Sequence, residues 1–148
     1  MIDGIAIDCG WLIELEDADY DELLAAFELV KRMLEADVRL LIDHEGHIIG
    51  EYSKYMTDMK HGKALLKKLL ASCTSYVSGT PSGTCKAGLD ADAFDPSDRP
   101  YIAVAQNGNG IYITHEEKHL TQARCAKVAK HCNVTIASTA DIPALLTK

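Results

Sequence analysis

The residues of this chain best placed to do chemistry are carboxylates at the ends of apolar segments. Residues 4–8, GIAID, run from an apolar stretch into Asp8, and residues 38–43, VRLLID, end in Asp43. Glu116 stands two residues past the segment GIYIT, Asp98 opens the segment leading into it, and Glu51 lies about one turn into the helix expected after Asp43. Carboxylates that converge repel one another unless a cation neutralises them. An oxygen-only donor set suits Mg²⁺ or Mn²⁺, and metals held this way activate water and stabilise the departing oxygen in phosphodiester hydrolysis. Asp8, Asp43, Glu51, Asp98 and Glu116, from distant parts of the chain, are therefore acids that could converge on one edge of the sheet as a divalent-metal phosphoryl-transfer site, with no substrate identified by this step. Each acid also has an ordinary reading. Asp98 can cap a helix beginning near Pro100, Glu116 can answer a helix dipole, Asp43 can belong to the turn Asp43-His44-Glu45-Gly46, and Glu51 can be solvated. Asp8 resists such a reading, because an unpaired charge at the end of an apolar strand is expensive.

The elements that must position these acids alternate between short apolar runs and helical periodicities. Strands are predicted over 4–8, 38–43, 110–114 and 134–138, and helices over 19–35, about 48–58, about 62–72, 99–106, 116–131 and 139–146. In the first helix Leu23, Phe27, Val30 and Leu34 recur at helical spacing, and Asp19, Asp21 and Glu22 suit its positive end. Residues 73–100, rich in Ser, Thr, Gly, Pro and Asp, read as a long loop with one short helical turn. The alternation predicts an α/β fold: a three-layer α/β/α sandwich around a mainly parallel sheet, formed by one domain over residues 1–148. In such sheets ligands bind outside the carboxyl ends of the strands, which is where Asp8 and Asp43 fall.

Composition narrows the class. The 148 residues are 47% hydrophobic and 25% charged, enough apolar material for a packed core. No stretch approaches the roughly 18 apolar residues of a membrane span. The opening MIDGIAIDCGW has no basic region and meets acid at once, unlike a secretory leader. Five cysteines with no close C-x-x-C pair predict reduced thiols and a cytoplasmic setting. The net charge of −7 is polarised: residues 1–30 hold nine acids and no Lys or Arg, while the rest of the chain carries a slight positive excess. Lys60, Lys63, Lys67 and Lys68 fall near one side of a helix, a stripe able to follow a phosphate backbone, although a solvated helix face explains it as simply.

The order of these segments resembles the PIN-domain nuclease family across most of the chain. AIDCGWLI resembles the family's first strand and its metal-binding Asp, here Asp8. LLIDHEGHIIGEY resembles a form in which strand, Asp, Gly turn and Glu-Tyr follow in order, with the second acid at Glu51. SDRPYIAVAQNGNGIYIT resembles the segment of the third acid, here Asp98, and the fourth position, two residues after Thr114, is Glu116. Two positions depart from the pattern: Gly10 replaces a small polar residue, and Lys118 stands where another acid is common. The resemblance implies a Mg²⁺- or Mn²⁺-dependent endoribonuclease, with Asp8, Glu51, Asp98 and Glu116 holding the metals. It also brings RNA as substrate and, as expectations about partners, an antitoxin or other protein and a second copy of the chain. A PIN-like domain without catalysis, binding RNA or a protein, is the alternative that Gly10 and Lys118 favour. A receiver-like domain ranks below both, for want of a Lys on a late strand and of paired acids after the first.

Other constellations are weaker. His115 and His119, four apart, together with Cys125, His131 and Cys132 match no standard zinc spacing, and surface histidines with small buried cysteines account for them better. Asp90, Asp92, Asp95 and Asp98 lack the Gly and the bidentate Glu of a calcium loop and read as a solvated acidic loop near the mouth of the site. Cys9 follows Asp8 directly, but no histidine spacing supports a thiol nucleophile.

Overall fold

The structure is a computed structural model and describes residues 2–146. Five strands, β1 (Gly4–Ile7), β2 (Arg39–Asp43), β3 (Thr74–Val77), β4 (Gly110–Ile113) and β5 (Thr135–Ala137), form one parallel sheet in the order β3-β2-β1-β4-β5. Helices cover it as α1 (Cys9–Glu14), α2 (Tyr20–Ala36), α3 (His47–Tyr55), α4 (His61–Ser72), α5 (Gly83–Ala91), α6 (Arg99–Asn107), α7 (Glu117–Leu120), α8 (Gln122–Cys132) and α9 (Ile142–Leu146). This is the expected three-layer α/β/α sandwich. β1 and β4 are buried along their whole length and β2 after its first residue, as strands covered on both faces must be.

The order of the strands decides where a site can form. From β1 the chain steps outward to β2 and β3, then returns across the sheet to place β4 on the other side of β1. The direction therefore reverses between β1 and β4, and in sheets of this kind ligands bind at such a switch point, outside the carboxyl ends of the strands. Ile7 pairs with Ile113 at the end of the ladder, and the Asp8 N–H donates to the Ile113 carbonyl at 3.0 Å. Asp8 and the residues after β4 are thus neighbours by topology.

Several expectations are corrected. Residues 73–100 are not one loop: they contain β3 and α5. β3 is an edge strand with only partial burial, which leaves no clean apolar pattern to read. The helix predicted over 116–131 breaks at Thr121, whose hydroxyl accepts from the Arg124 N–H at 3.3 Å and so begins α8 afresh. α1, unmarked by any predicted element, follows β1 directly. On α2 the buried stripe is Ala26, Leu29, Val30 and Met33, and Phe27 is exposed, so the apolar face lies about one residue away from the predicted one. The thiols are not all free: Cys85 of α5 and Cys132 of α8 are joined in a disulfide, which a separation of 47 residues hides from the sequence. Cys9, Cys73 and Cys125 remain thiols. No helix among the described residues is long and apolar enough to cross a membrane.

Candidate metal centre

Asp8 occupies the N-cap position of α1, yet its side chain makes no capping bond, and it is buried. Thr114, immediately after β4, donates its hydroxyl to Asp8 Oδ2 at 3.2 Å and accepts the Glu116 N–H at 3.1 Å, so one threonine ties the first acid to the fourth. No basic side chain among the described residues forms an ion pair with Asp8. Burial, then the charges of Asp98 and Glu116, push its pKa up to about 7, with Glu51 adding to the rise and the Thr114 bond opposing it. Gly10 sits close against this carboxylate: a methyl group there would stand 3.1 Å from Asp8 Oδ2, tighter than ordinary contact.

Glu51 reaches the same place by way of α3. Gly46, at a positive φ of 87° that favours glycine, turns the chain after β2. Asp43 then accepts the N–H groups of His47 at 2.9 Å and Ile48 at 2.8 Å, anchoring the start of α3. Asp43 is therefore spent on the helix terminus. Burial pulls its pKa up, but the bonds from Ile48 and His47 more than offset this and hold it below the usual range. One turn on, Tyr52 donates to the Ile7 carbonyl at 2.5 Å and pins α3 against the end of β1, which brings its neighbour Glu51 to Asp8. Glu51 Oε1 accepts from the Tyr101 hydroxyl at 2.7 Å. Its pKa is nonetheless raised, by burial and, against that bond, by Asp98 and Glu116.

Asp98 ends a 3₁₀ turn over Pro96–Asp98 and opens α6, again without a side-chain capping bond. Its Oδ2 pairs with His119 Nε2 at 2.8 Å. Glu116, at the start of α7, lies 3.2 Å from Lys118 Nζ and 3.5 Å from His119 Nε2, and Lys118 also pairs with Asp95. The ligand atoms of Asp95, Asp98, Glu116 and His119 all lie within 4.8 Å of one another. Of the four predicted acids, Asp98 and Glu116 share this cluster, while Asp8 and Glu51 lie outside it and feel the charges of both; Asp43 is committed to the start of α3.

Asp95 and His119 join this cluster although the sequence reading placed neither in it. His119 is not a surface histidine; it is fully buried. The available signals were the spacings of Asp95 with Asp98 in a 3₁₀ turn and of Glu116 with His119 in a short helix, since residues three apart share a face in both. His115 points elsewhere, pairing with Glu14 and lying 3.1 Å from Thr139. The acidic run 90–98 is not simply solvated: Asp90 pairs with Arg99, Asp92 with Arg124 and Lys127, and Asp95 with Lys118. Burial, then Glu51 and Asp8, push the Cys9 thiol up to about 12, which disfavours its thiolate.

The donor set fits Mg²⁺ or Mn²⁺. It offers hard carboxylate oxygens, one of them buried without a counterion. Beside them lies the buried hydroxyl of Tyr112, on which the charges of Asp8 and Asp98 act. Comparisons with models of known families, with curated proteins and with solved structures found no match to this chain.

Proposed function

We propose that the chain is a divalent-metal-dependent endoribonuclease that hydrolyses RNA phosphodiesters. The observation that carries this reading is Asp8: buried, not used as a cap, without a counterion, and pressed by three further acids toward a pKa of about 7. A folded chain retains such a group against its electrostatic cost where a cation is to be bound. Asp8, Glu51, Asp98 and Glu116 would hold Mg²⁺ or Mn²⁺. Bound there, a divalent cation supplies activation of water at neutral pH and neutralisation of charge on phosphate oxygens. The chain's own groups hold the acids in place: Thr114 orients Asp8, Tyr101 orients Glu51, and Tyr52 keeps α3 against β1. Exposed Lys67 and Lys68 on α4 offer charge to an RNA backbone. RNA as substrate goes with a cytoplasmic setting. A protein partner of the antitoxin kind, or a second copy, would find apolar surface on α2, where Tyr20, Leu24 and Phe27 are exposed in one stripe.

The second reading, a PIN-like domain that binds RNA or a protein without cutting, is favoured by Lys118. Its ammonium already pairs with Glu116 and Asp95, where a cation would otherwise be needed. The deciding experiment is cleavage of a mixed-sequence RNA with Mn²⁺, with Mg²⁺ and with EDTA. The nuclease reading expects cleavage with metal only, and its loss in Asp8→Asn. RNA bound by the well-folded protein but left intact under all three conditions supports the second reading.

A further inference from the structure

We propose that His119 is a positioning residue for Asp98, locked by Arg124 in the tautomer that carries its proton on Nε2, and that it is not itself a metal ligand. The proposal rests on the reading that Asp98 holds the cation. The cluster of Asp95, Asp98, Glu116 and His119 invites the opposite assignment, with Nε2 as a fourth donor. What decides between them is the far side of the ring.

His119 Nδ1 lies 3.0 Å from Arg124 Nη1. A guanidinium has five N–H donors and no acceptor, so in this contact Nδ1 must accept. A proton there would face the guanidinium's own N–H. With Nδ1 accepting, the ring's proton sits on Nε2, which donates to Asp98 Oδ2 at 2.8 Å. A protonated nitrogen has no lone pair to offer a metal.

The assembly is built to hold that geometry. The ring is fully buried and stacks on Phe94 at 4.5 Å between centroids, with 12° between the planes. Arg124 lies over the same phenyl ring at 4.9 Å and is fixed in turn by Asp92: its Nε donates to the carboxylate at 2.9 Å and its Nη2 to the backbone carbonyl at 3.2 Å. Lys127 closes the outer end on Asp92 at 3.1 Å. A chain of directed bonds therefore runs from Asp92, at the end of α5, through Arg124 and His119 to Asp98. Its effect is to commit one lone pair of Oδ2, fix the plane of the carboxylate and leave Oδ1 for a cation. Partners of this kind typically change metal affinity by about 10- to 100-fold.

The test has two arms. Nitrogen-15 NMR of histidine-labelled protein reads the tautomer without any metal, and a repeat with Mg²⁺ shows whether Nε2 keeps its proton. Mn²⁺ titration then compares wild type with His119→Phe, which keeps the stack but loses the donor, and His119→Gln, which restores a donor on a flexible side chain. The expected results are an Nε2–H ring with and without Mg²⁺, Mn²⁺ binding weakened about 10-fold or more in the Phe variant, and substantial recovery in the Gln variant. A ring protonated on Nδ1, loss of the Nε2 proton on adding Mg²⁺, or a Phe variant that binds Mn²⁺ like wild type overturns the proposal. A wild-type protein that binds no Mn²⁺ while showing the Nε2–H ring overturns the cation reading of the site instead, and the positioning role with it.

Discussion

Asp8 concentrates the energetic argument at the scale of single residues. Its pKa lies near 3.8 in the unfolded chain and about 7 in the folded one, so between these values the native state holds a proton that the unfolded state has released. The contribution of Asp8 to the stability of the metal-free protein therefore falls as pH rises through this window, and the loss is complete above about pH 7. Glu51, raised for similar reasons, adds in the same direction. Replacing Asp8 by Asn removes the buried charge while keeping an oxygen that can accept from Thr114. At pH 8 and without metal, Asp8→Asn should be more stable than wild type by on the order of 1–3 kcal/mol, and at pH 4 the difference should nearly vanish. Urea unfolding at the two pH values checks this; a variant less stable than wild type at pH 8 would mean that Asp8 is held by contacts rather than pressed by its neighbours. The candidacy of the four acids was legible because each stands next to a recognisable strand or helix boundary. The role of His119 was not, because its partners Phe94 and Asp98 come from one stretch of chain and Arg124 from α8, and only the fold brings them to the same ring.

At the scale of elements, the buried strands and the longer helices were readable because burial on both faces leaves near-continuous apolar runs, and long helices carry strong periodicity. Failures cluster where an element is short or marginal. β3 pairs on one side only, α5 has few large apolar residues, and α7 and α8 read as one helix until Thr121 is recognised as a cap. The disulfide between Cys85 and Cys132 binds two of these less legible elements, α5 and α8. Reducing it releases a closed loop of 47 residues in the unfolded chain, which should lower stability by about 2–4 kcal/mol. Urea unfolding with and without reductant, with Cys85→Ser as a control, measures the loss. Superimposable curves would show that the pair contributes nothing. Because Asp92 caps the end of α5 and α8 carries Arg124, the same bond holds together the two elements at which the chain of contacts to Asp98 begins.

Across the whole molecule, strand order and charge meet at one place. The reversal of direction between β1 and β4 marks the switch point, and α3 and α6 deliver Glu51 and Asp98 to it. The acidic first thirty residues supply Asp8, while the slight positive excess lies in the rest of the chain, including Lys67 and Lys68 on α4. The class of fold followed from alternation alone, but the switch point required the strand order, which no local pattern encodes. The central claim is that these acids bind a divalent cation, and calorimetric titration of the full chain with Mn²⁺, in buffers of different ionisation enthalpy, tests it most directly. The account predicts binding that releases protons, with more released at pH 6 than at pH 8 because Asp8 must give up its proton to bind, and no comparable binding in Asp8→Asn. Wild-type protein that binds no Mn²⁺, or binds it equally well without the Asp8 carboxylate and with no proton release, would contradict it.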